Sequence, residues 1–313
     1  MTGKERRDLY QEVTDRITAQ LDAGRIPWAK PWSARTAAGA LDWHRNPASG
    51  TVYRGINPLL LEIARMEGDF SERRWLTFKQ AKLKGGAVRK GETGTTIVFF
   101  KRLVVDDRER IGADGKPAKR AIFMLRHYTV FNVEQIDGLD LGADSAEEGY
   151  VPEELPGAQE ILDGYFTGSR PAPPLEHGGN RAFYSPPGDF VQLPVREAFH
   201  SDALYFKTAY HEAIHSTGHA SRLKRVEITG PIDFGSVPYG REELTAEMGA
   251  AMLCGVAGLE GTETSSAGYI QHWRDAIAGD NRMVILAAQR AQKAADLILG
   301  ITPEPTPEPT TKD

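Results

Sequence analysis

Residues 211–219 read HEAIHSTGH, and the spacing inside that stretch constrains this chain more than anything else in it. His211 and His215 stand four apart in DALYFKTAYHEAIHSTG (202–218), which has no proline, has a helix-favouring interior and is stopped by Gly218. A four-residue helical step puts two side chains on one face about 6 Å apart along the axis. That is near enough for both imidazoles to hold one zinc ion. Glu212 lies beside such an ion rather than on it, where a carboxylate serves as a general base. The HExxH order therefore predicts a metal-binding helix and a hydrolytic site.

Such a site needs a third ligand. His219 is eight residues past His211, about 12 Å further along a continuing helix, which is too far for a shared ion. The longer signature HExxHxxGxxH would place histidine at 221, where this chain has Ser221. His219 is therefore read as a turn residue, a supporting hydrogen-bond partner or a substrate contact. Acids are available in REELTAEMGAAML (241–253), where Glu243, Glu247 and Ala250 form one stripe and Gly249 with the alanines permits close approach of another helix. Carboxylates on a packing face need a partner, because an unpaired buried charge is costly. The pattern of glutamate, three residues, acid resembles that of gluzincins, in which the first acid binds metal and the second hydrogen-bonds a ligand histidine. On that resemblance Glu243 is the expected ligand and Glu247 its supporting acid. Glu242 and Glu247 stay open as alternative ligands, and Glu242 is expected to face solvent. Tyr239, just before this helix, is a candidate for stabilising an oxyanion, with Glu212 as the catalytic base.

The formal net charge of −5 conceals a division. Residues 1–131 carry 25 Lys and Arg against 15 Asp and Glu, and the remainder carries 13 against 28, so the halves are about +10 and −15. In the basic half aromatic and cationic residues interleave, notably Trp28, Lys30, Trp32, Tyr53, Arg54, Trp75, Lys79 and Lys90. Aromatic faces that stack on unpaired bases, with cations that follow phosphates, suit single-stranded DNA better than a duplex groove. GGAVRKGETGTT lacks the Lys-Ser/Thr of a phosphate loop and reads as a turn before a strand.

The expected class is α+β in two domains. A helix is predicted over 4–22 from Leu9, Val13, Ile17 and Leu21, then short helices at 58–66 and 78–84. TTIVFFKRLVVDD and AIFMLRHYTVFNV read as two long strands joined near GADGKP. The basic domain is placed at 1–134 and an acidic linker at 135–154. A mainly helical domain follows at 155–300, with helices near 155–167, 201–217, 241–256, 266–278 and 281–299 and short strands at RAFYSP and DFVQLP. Residues 301–313, rich in proline, read as a disordered tail. No apolar signal region or membrane-length segment is present, and the lone Cys254, set among Ala, Met and Leu, fits a reducing, cytoplasmic setting.

Long ordered segments also carry a family likeness: PWAKPW (27–32), YRGIN (53–57), RWLTFKQA (74–81), GGAVRKGETG (85–94), YSPPGDFVQLP (184–194), YHEAIHSTGHASRLKR (210–225) and YGREELTAEMGAAML (239–253). With AGYIQHWRDAI and AAQRAQKAADLIL near the end, the chain resembles ArdC-type antirestriction proteins of conjugative plasmids and related mobile elements over nearly its whole length. The resemblance implies an N-terminal single-stranded-DNA-binding domain and a zincin-like metallopeptidase domain. It also implies Zn2+, or another divalent ion such as Mn2+, as cofactor, and protection of incoming DNA from host restriction. A host restriction component or another protein substrate is the expected protein partner. The alternatives are a non-proteolytic DNA-binding protein with a structural or vestigial metal, and a plain cytosolic zinc peptidase.

Overall fold

A computed structural model of the chain describes residues 8–28, 42–111, 117–139, 141, 157–230, 237–259, 262 and 267–302. Helix α1 (Leu9–Asp22) starts at Asp8, whose carboxylate accepts the N–H groups of Tyr10 and Gln11. The short strands β1 (Arg45–Asn46) and β2 (Thr51–Val52) precede α2 (Asn57–Glu67), where Pro58 sits in the first turn and needs no N–H partner. Strand β3 (Trp75–Thr77) leads directly into α3 (Phe78–Leu83), closed by a capping box between Thr77 and Gln80. After β4 (Ala87–Val88) come the long strands β5 (Thr95–Ile111) and β6 (Pro117–Asn132), then β7 (Ile136–Asp137). The second half holds α4 (Ala158–Phe166), β8 (Leu175–His177), β9 (Phe183–Ser185), β10 (Phe190–Leu193), α5 (Asp202–Ser216), α6 (Val226–Thr229), α7 (Val237–Ala257), α8 (Ala267–Ala278) and α9 (Met283–Leu299). Strands β1, β2, β3, β4, β7 and β8 and the short α6 have no counterpart in the expected elements. Helix α7 begins before the expected position, so Tyr239 lies within its first turn.

The N-terminal sheet has the order β3-β6-β5, all antiparallel, which leaves β5 at an edge. Exposed strand edges invite pairing with other chains. Here the amide of buried Asn57 occupies the edge, accepting the Val98 N–H and donating to the Val98 carbonyl, both at 2.9 Å. Behind the sheet, Trp75 is fully buried among Tyr53, Leu61, Ile97 and Val130. Its indole N–H donates to Nδ1 of buried His44 at 3.0 Å. An indole can only donate, so His44 is neutral there and its proton sits on Nε2, facing Glu62 at 3.0 Å. Burial lowers the His44 pKa from its usual 6.5, against the opposing pull of Glu62. Burial alone would raise that of Glu62, but hydrogen bonds from His44 and Arg65 and the charge of Arg73 bring it below the usual carboxylate range.

The two shifts act in the same direction on stability. A histidine whose folded pKa is depressed takes up its proton in the unfolded chain first, so stability falls as pH drops below about 6.5. The depressed Glu62 contributes stability above about pH 4.3, and that contribution is lost as pH falls towards its folded value. The thermal midpoint is therefore expected to fall from pH 7 to pH 4, chiefly through His44, and to fall less in His44→Gln. Equal losses in both proteins, measured by circular dichroism, would contradict this.

A larger core joins the two halves of the sequence. Val13, Ile17 and Leu21 of α1 are buried together with residues of α5, α7 and α9. Trp28 packs edge-on against Trp273 of α8, with ring centroids 6.1 Å apart. The Thr14 hydroxyl donates to the Asn281 carbonyl at 2.9 Å, and Arg274 pairs with Asp22. The first helix thus shares its hydrophobic face with the last two. In the second half a three-stranded sheet of order β8-β10-β9 leaves β9 at the edge beside α5. No helix among the described residues is long and apolar enough to cross a membrane.

Candidate metal centre

Helix α5 buries one side through Tyr205, Phe206, Ala209, Tyr210, Ala213 and Ile214. Its remaining face carries His211, Glu212 and His215 into a cleft of about 860 Å3. Helix α7 crosses close to α5 because residue 249 is glycine: a Cβ there would lie 2.6 Å from the Ile214 side chain. That crossing delivers Glu243 to the histidines.

Donor atoms of His211, His215 and Glu243 all lie within 4.8 Å of one another. The two Nε2 atoms are 3.1 Å apart, and Glu243 oxygens lie 3.5 Å from His211 Nε2 and 3.6 Å from His215 Nε2. Two ligands at about 2.0–2.1 Å from a tetrahedral ion are separated by about 3.3 Å. The observed spacings bracket that figure, so two imidazoles and one carboxylate fit a zinc-like divalent ion.

The other ring nitrogens face carboxylates, and the hydrogen bond at His215 Nδ1 turns that ring's Nε2 to the centre. His215 Nδ1 is 3.1 Å from Glu242, and His211 Nδ1 is 3.6 Å from Glu247, whose other oxygen is 3.7 Å from Lys207. Burial would depress the His211 pKa, but Glu243, Glu247 and Glu212 outweigh it and push it up to about 9. The carboxylates thus favour positive charge at this point. The same histidine holds Glu243 below the usual carboxylate range, against the effect of burial.

Glu242, expected in solvent, is instead buried. Its carboxylate accepts from Arg225, 2.8 Å from Nε and 2.5 Å from Nη2, and the same guanidinium reaches the Ile214 carbonyl and the Thr217 hydroxyl at the end of α5. Consecutive residues on a helix point about 100° apart, so Glu242 and Glu243 approach His215 from different sides. Removing one partner from a buried ion pair leaves an uncompensated charge, at a cost of about 3–5 kcal/mol. Arg225→Met is expected to lower unfolding stability by that amount in denaturant titration; an unchanged midpoint would contradict the role given to the pair.

Glu212 does not belong to the donor cluster. Its Oε2 accepts the backbone N–H of Tyr184 on β9 at 2.9 Å, which orients the carboxylate in the cleft. Tyr184 is itself anchored, its hydroxyl donating to Asp189, which pairs with Arg222. His219 lies in the turn after α5, its Nδ1 within 2.9 Å of the Ser221 hydroxyl, and it lines the cleft without joining the donors. Tyr239 also lines the cleft, and partial burial with the charges of Glu243 and Glu212 pushes its hydroxyl up to about 12, so it is a neutral hydrogen-bond donor.

The aromatic residues assigned to DNA are placed differently. Trp28 and Trp75 are 2% and 0% exposed, and both rings are committed to cores, so neither has a face free for a base. Tyr53 is 8% exposed but borders a second cavity, as does Arg54, which pairs with Asp296 of α9 at 2.5 Å. Lys79 and Lys90 are exposed, and Lys30 and Trp32 lie outside the described residues. Sequence reasoning did not find Arg225 or the Tyr184 amide; Arg225 follows Lys224 with nothing in composition to separate a buried cation from a solvated one.

Comparison with known proteins places this geometry. Residues 7–131 match the N-terminal domain of anti-restriction factor ArdC, and residues 169–290 match a zincin-like metallopeptidase domain. Crystal structures of the antirestriction ArdC protein from plasmid R388 are similar over 94% of the chain. The metal-free form is 37% identical with a TM-score of 0.67, and the Mn(II)-bound form is 39% identical with a TM-score of 0.68; the match covers 97% and 98% of those chains. The DNA primase TraC of Escherichia coli is 35% identical over 94% of this chain, which spans only 20% of that relative's length. The uncharacterised protein y4eC of Sinorhizobium fredii (strain NBRC 101917 / NGR234) is 33% identical, over 92% of this chain and 91% of its own length. The chain belongs to the ArdC antirestriction family, with an ArdC-type N-terminal domain joined to a zincin-like metallopeptidase domain.

Proposed function

We propose that this protein binds single-stranded DNA through its basic half and hydrolyses a peptide bond at the His211/His215/Glu243 centre, protecting the DNA of a mobile element from host restriction. The observation that carries the hydrolytic reading is a donor triad of the right spacing with Glu212 beside it but outside it. A structural metal has no need of an adjacent, separately oriented carboxylate. A bound Zn2+ or Mn2+ ion would act as a Lewis acid on the scissile carbonyl and make water more acidic. The Mn(II)-bound ArdC relative supports a divalent ion as the occupant. Glu212, held by the Tyr184 amide, takes a proton from the attacking water and returns it to the departing amine nitrogen. Tyr239 donates its hydroxyl to the carbonyl oxygen as negative charge develops there. Edge strand β9 and the turn carrying His219 border the space a peptide would occupy.

The DNA reading is supported by the ArdC-type N-terminal domain and the +10 balance of residues 1–131. A host restriction component is the protein partner consistent with both. The test combines two assays on the full-length protein. An unfolded protein such as reduced casein should be cleaved with added Zn2+ or Mn2+ and left intact with chelator. Gel shifts should favour single strands over duplex and weaken with salt. Cleavage indifferent to chelator, or a preference for duplex, would contradict the corresponding half of the proposal.

A further inference from the structure

A cavity of about 790 Å3 lies away from the metal cleft, between the N-terminal sheet and the last helix. Ligand sites span about 300–1,000 Å3, whereas close-packed interiors leave few voids larger than a water molecule. The first half supplies an apolar patch, Tyr53, Ile56, Val98 and Phe99, beside polar Asn46, Thr51 and Gln80. The opposite wall is a polar stripe on α9, where Gln289, Gln292, Lys293 and Asp296 recur at three- and four-residue steps.

The polar groups around α9 fall into two sets. One set braces the walls: Arg54 Nη2 donates to both oxygens of Asp296 at 2.5 Å, and Gln292 accepts the Gly55 N–H at 3.2 Å while donating to Asp296 at 3.2 Å. These contacts hold α9 against the Tyr53–Gly55 segment and neutralise the Arg54 charge. The other set is uncommitted. Gln289, Lys84 and Lys293 line the cavity, and none of their side chains has a hydrogen-bond or ion-pair partner among the described residues; both lysines are exposed. With Arg54 and Asp296 cancelling, the lining carries a net charge of about +2 from those lysines. Its chemistry is a flat apolar surface, a free amide and two free cations. A planar base with polar edges, bearing a phosphate, matches all three; a fatty chain would leave the amides unused, and a cationic ligand would meet like charge.

We propose that this cavity takes one nucleotide of a bound single strand, with the base against Tyr53 and Phe99, its edge on Gln289 and its phosphate between Lys84 and Lys293. Helix α9 of the peptidase half then forms half of the DNA site. The inference rests on the single-strand reading above and adds the place and the residues. It also gives the burial of Trp28 and Trp75 a consequence, because the aromatic surface for a base is supplied by Tyr53 and Phe99.

The test uses the full-length protein, since the large core contains both α1 and α9. Binding of a labelled 20-nucleotide oligothymidine and of free thymidine monophosphate is compared in wild type, Gln289→Trp and Lys293→Glu. Mn2+ stoichiometry and thermal midpoint serve as controls of folding. Gln289→Trp fills the cavity without changing charge, so it separates this site from general electrostatic attraction. It is expected to weaken oligonucleotide binding roughly tenfold or more, the effect of losing one stacked base. Lys293→Glu is expected to weaken it and lower the salt slope by about one. Oligonucleotide binding unchanged in both folded variants would overturn the inference and leave the single-strand reading intact. Loss of thymidine monophosphate binding alone would assign the cavity to a free nucleotide and also overturn it. A wild-type protein that binds no oligonucleotide would overturn the reading itself.

Discussion

Glu243→Ala should cost the protein its bound divalent ion. Among the acids of α7, only Glu243 places carboxylate oxygens near the Nε2 atoms of both histidines, at 3.5 and 3.6 Å. Glu242 and Glu247 meet the Nδ1 sides instead, at 3.1 and 3.6 Å. Substitutions of partners outside the coordination sphere typically lower metal affinity by about 10–100-fold. Glu242→Gln and Glu247→Gln should fall in that range, and Glu243→Ala well beyond it. Isothermal titration with Zn2+ or Mn2+ separates the cases, and a larger loss in Glu247→Gln than in Glu243→Ala would reassign the ligand. The affinity should also fall as pH drops below about 9, because a proton on His211 competes with the metal for the same lone pair.

Glu212→Gln should have the opposite pattern: full metal occupancy and hydrolysis reduced by roughly 10²–10⁴-fold, the contribution of a positioned general base. The glutamine oxygen can still accept the Tyr184 N–H, so fold and cleft geometry should persist. The side chain nevertheless loses its ability to take a proton. Unchanged cleavage of a substrate by this variant would place the base elsewhere, and loss of metal would mean that Glu212 belongs to the donor set.

The parts of the site that were readable from sequence are those set by local geometry. The four-residue step of His211 and His215 is a statement about one helix, and α5 forms over Asp202–Ser216, close to the predicted span. Glu243 was singled out by its resemblance to the gluzincin pattern of glutamate, three residues, acid, and α7 brings its carboxylate to the two histidines. Glu242 was not, because its burial depends on where Arg225 arrives after a turn of irregular chain, and no periodicity encodes that. The tryptophans illustrate a different limit. A ring that stacks on a base and a ring that fills a core have the same composition, and Trp28 meets Trp273 across 244 intervening positions. For the same reason the packing of α1 on α8, through contacts such as Thr14 with Asn281, lies beyond any local reading.

The central claim is that one divalent ion sits between His211, His215 and Glu243, with Glu212 beside it and free to carry protons. Anomalous diffraction from crystals of the full chain soaked in Mn2+ tests it most directly. The account predicts one strong peak within about 2.3 Å of both Nε2 atoms and a Glu243 oxygen, with the Glu212 carboxylate turned to the Tyr184 amide. A peak bound instead by Glu242 or Glu247, or direct ligation by Glu212, would contradict it.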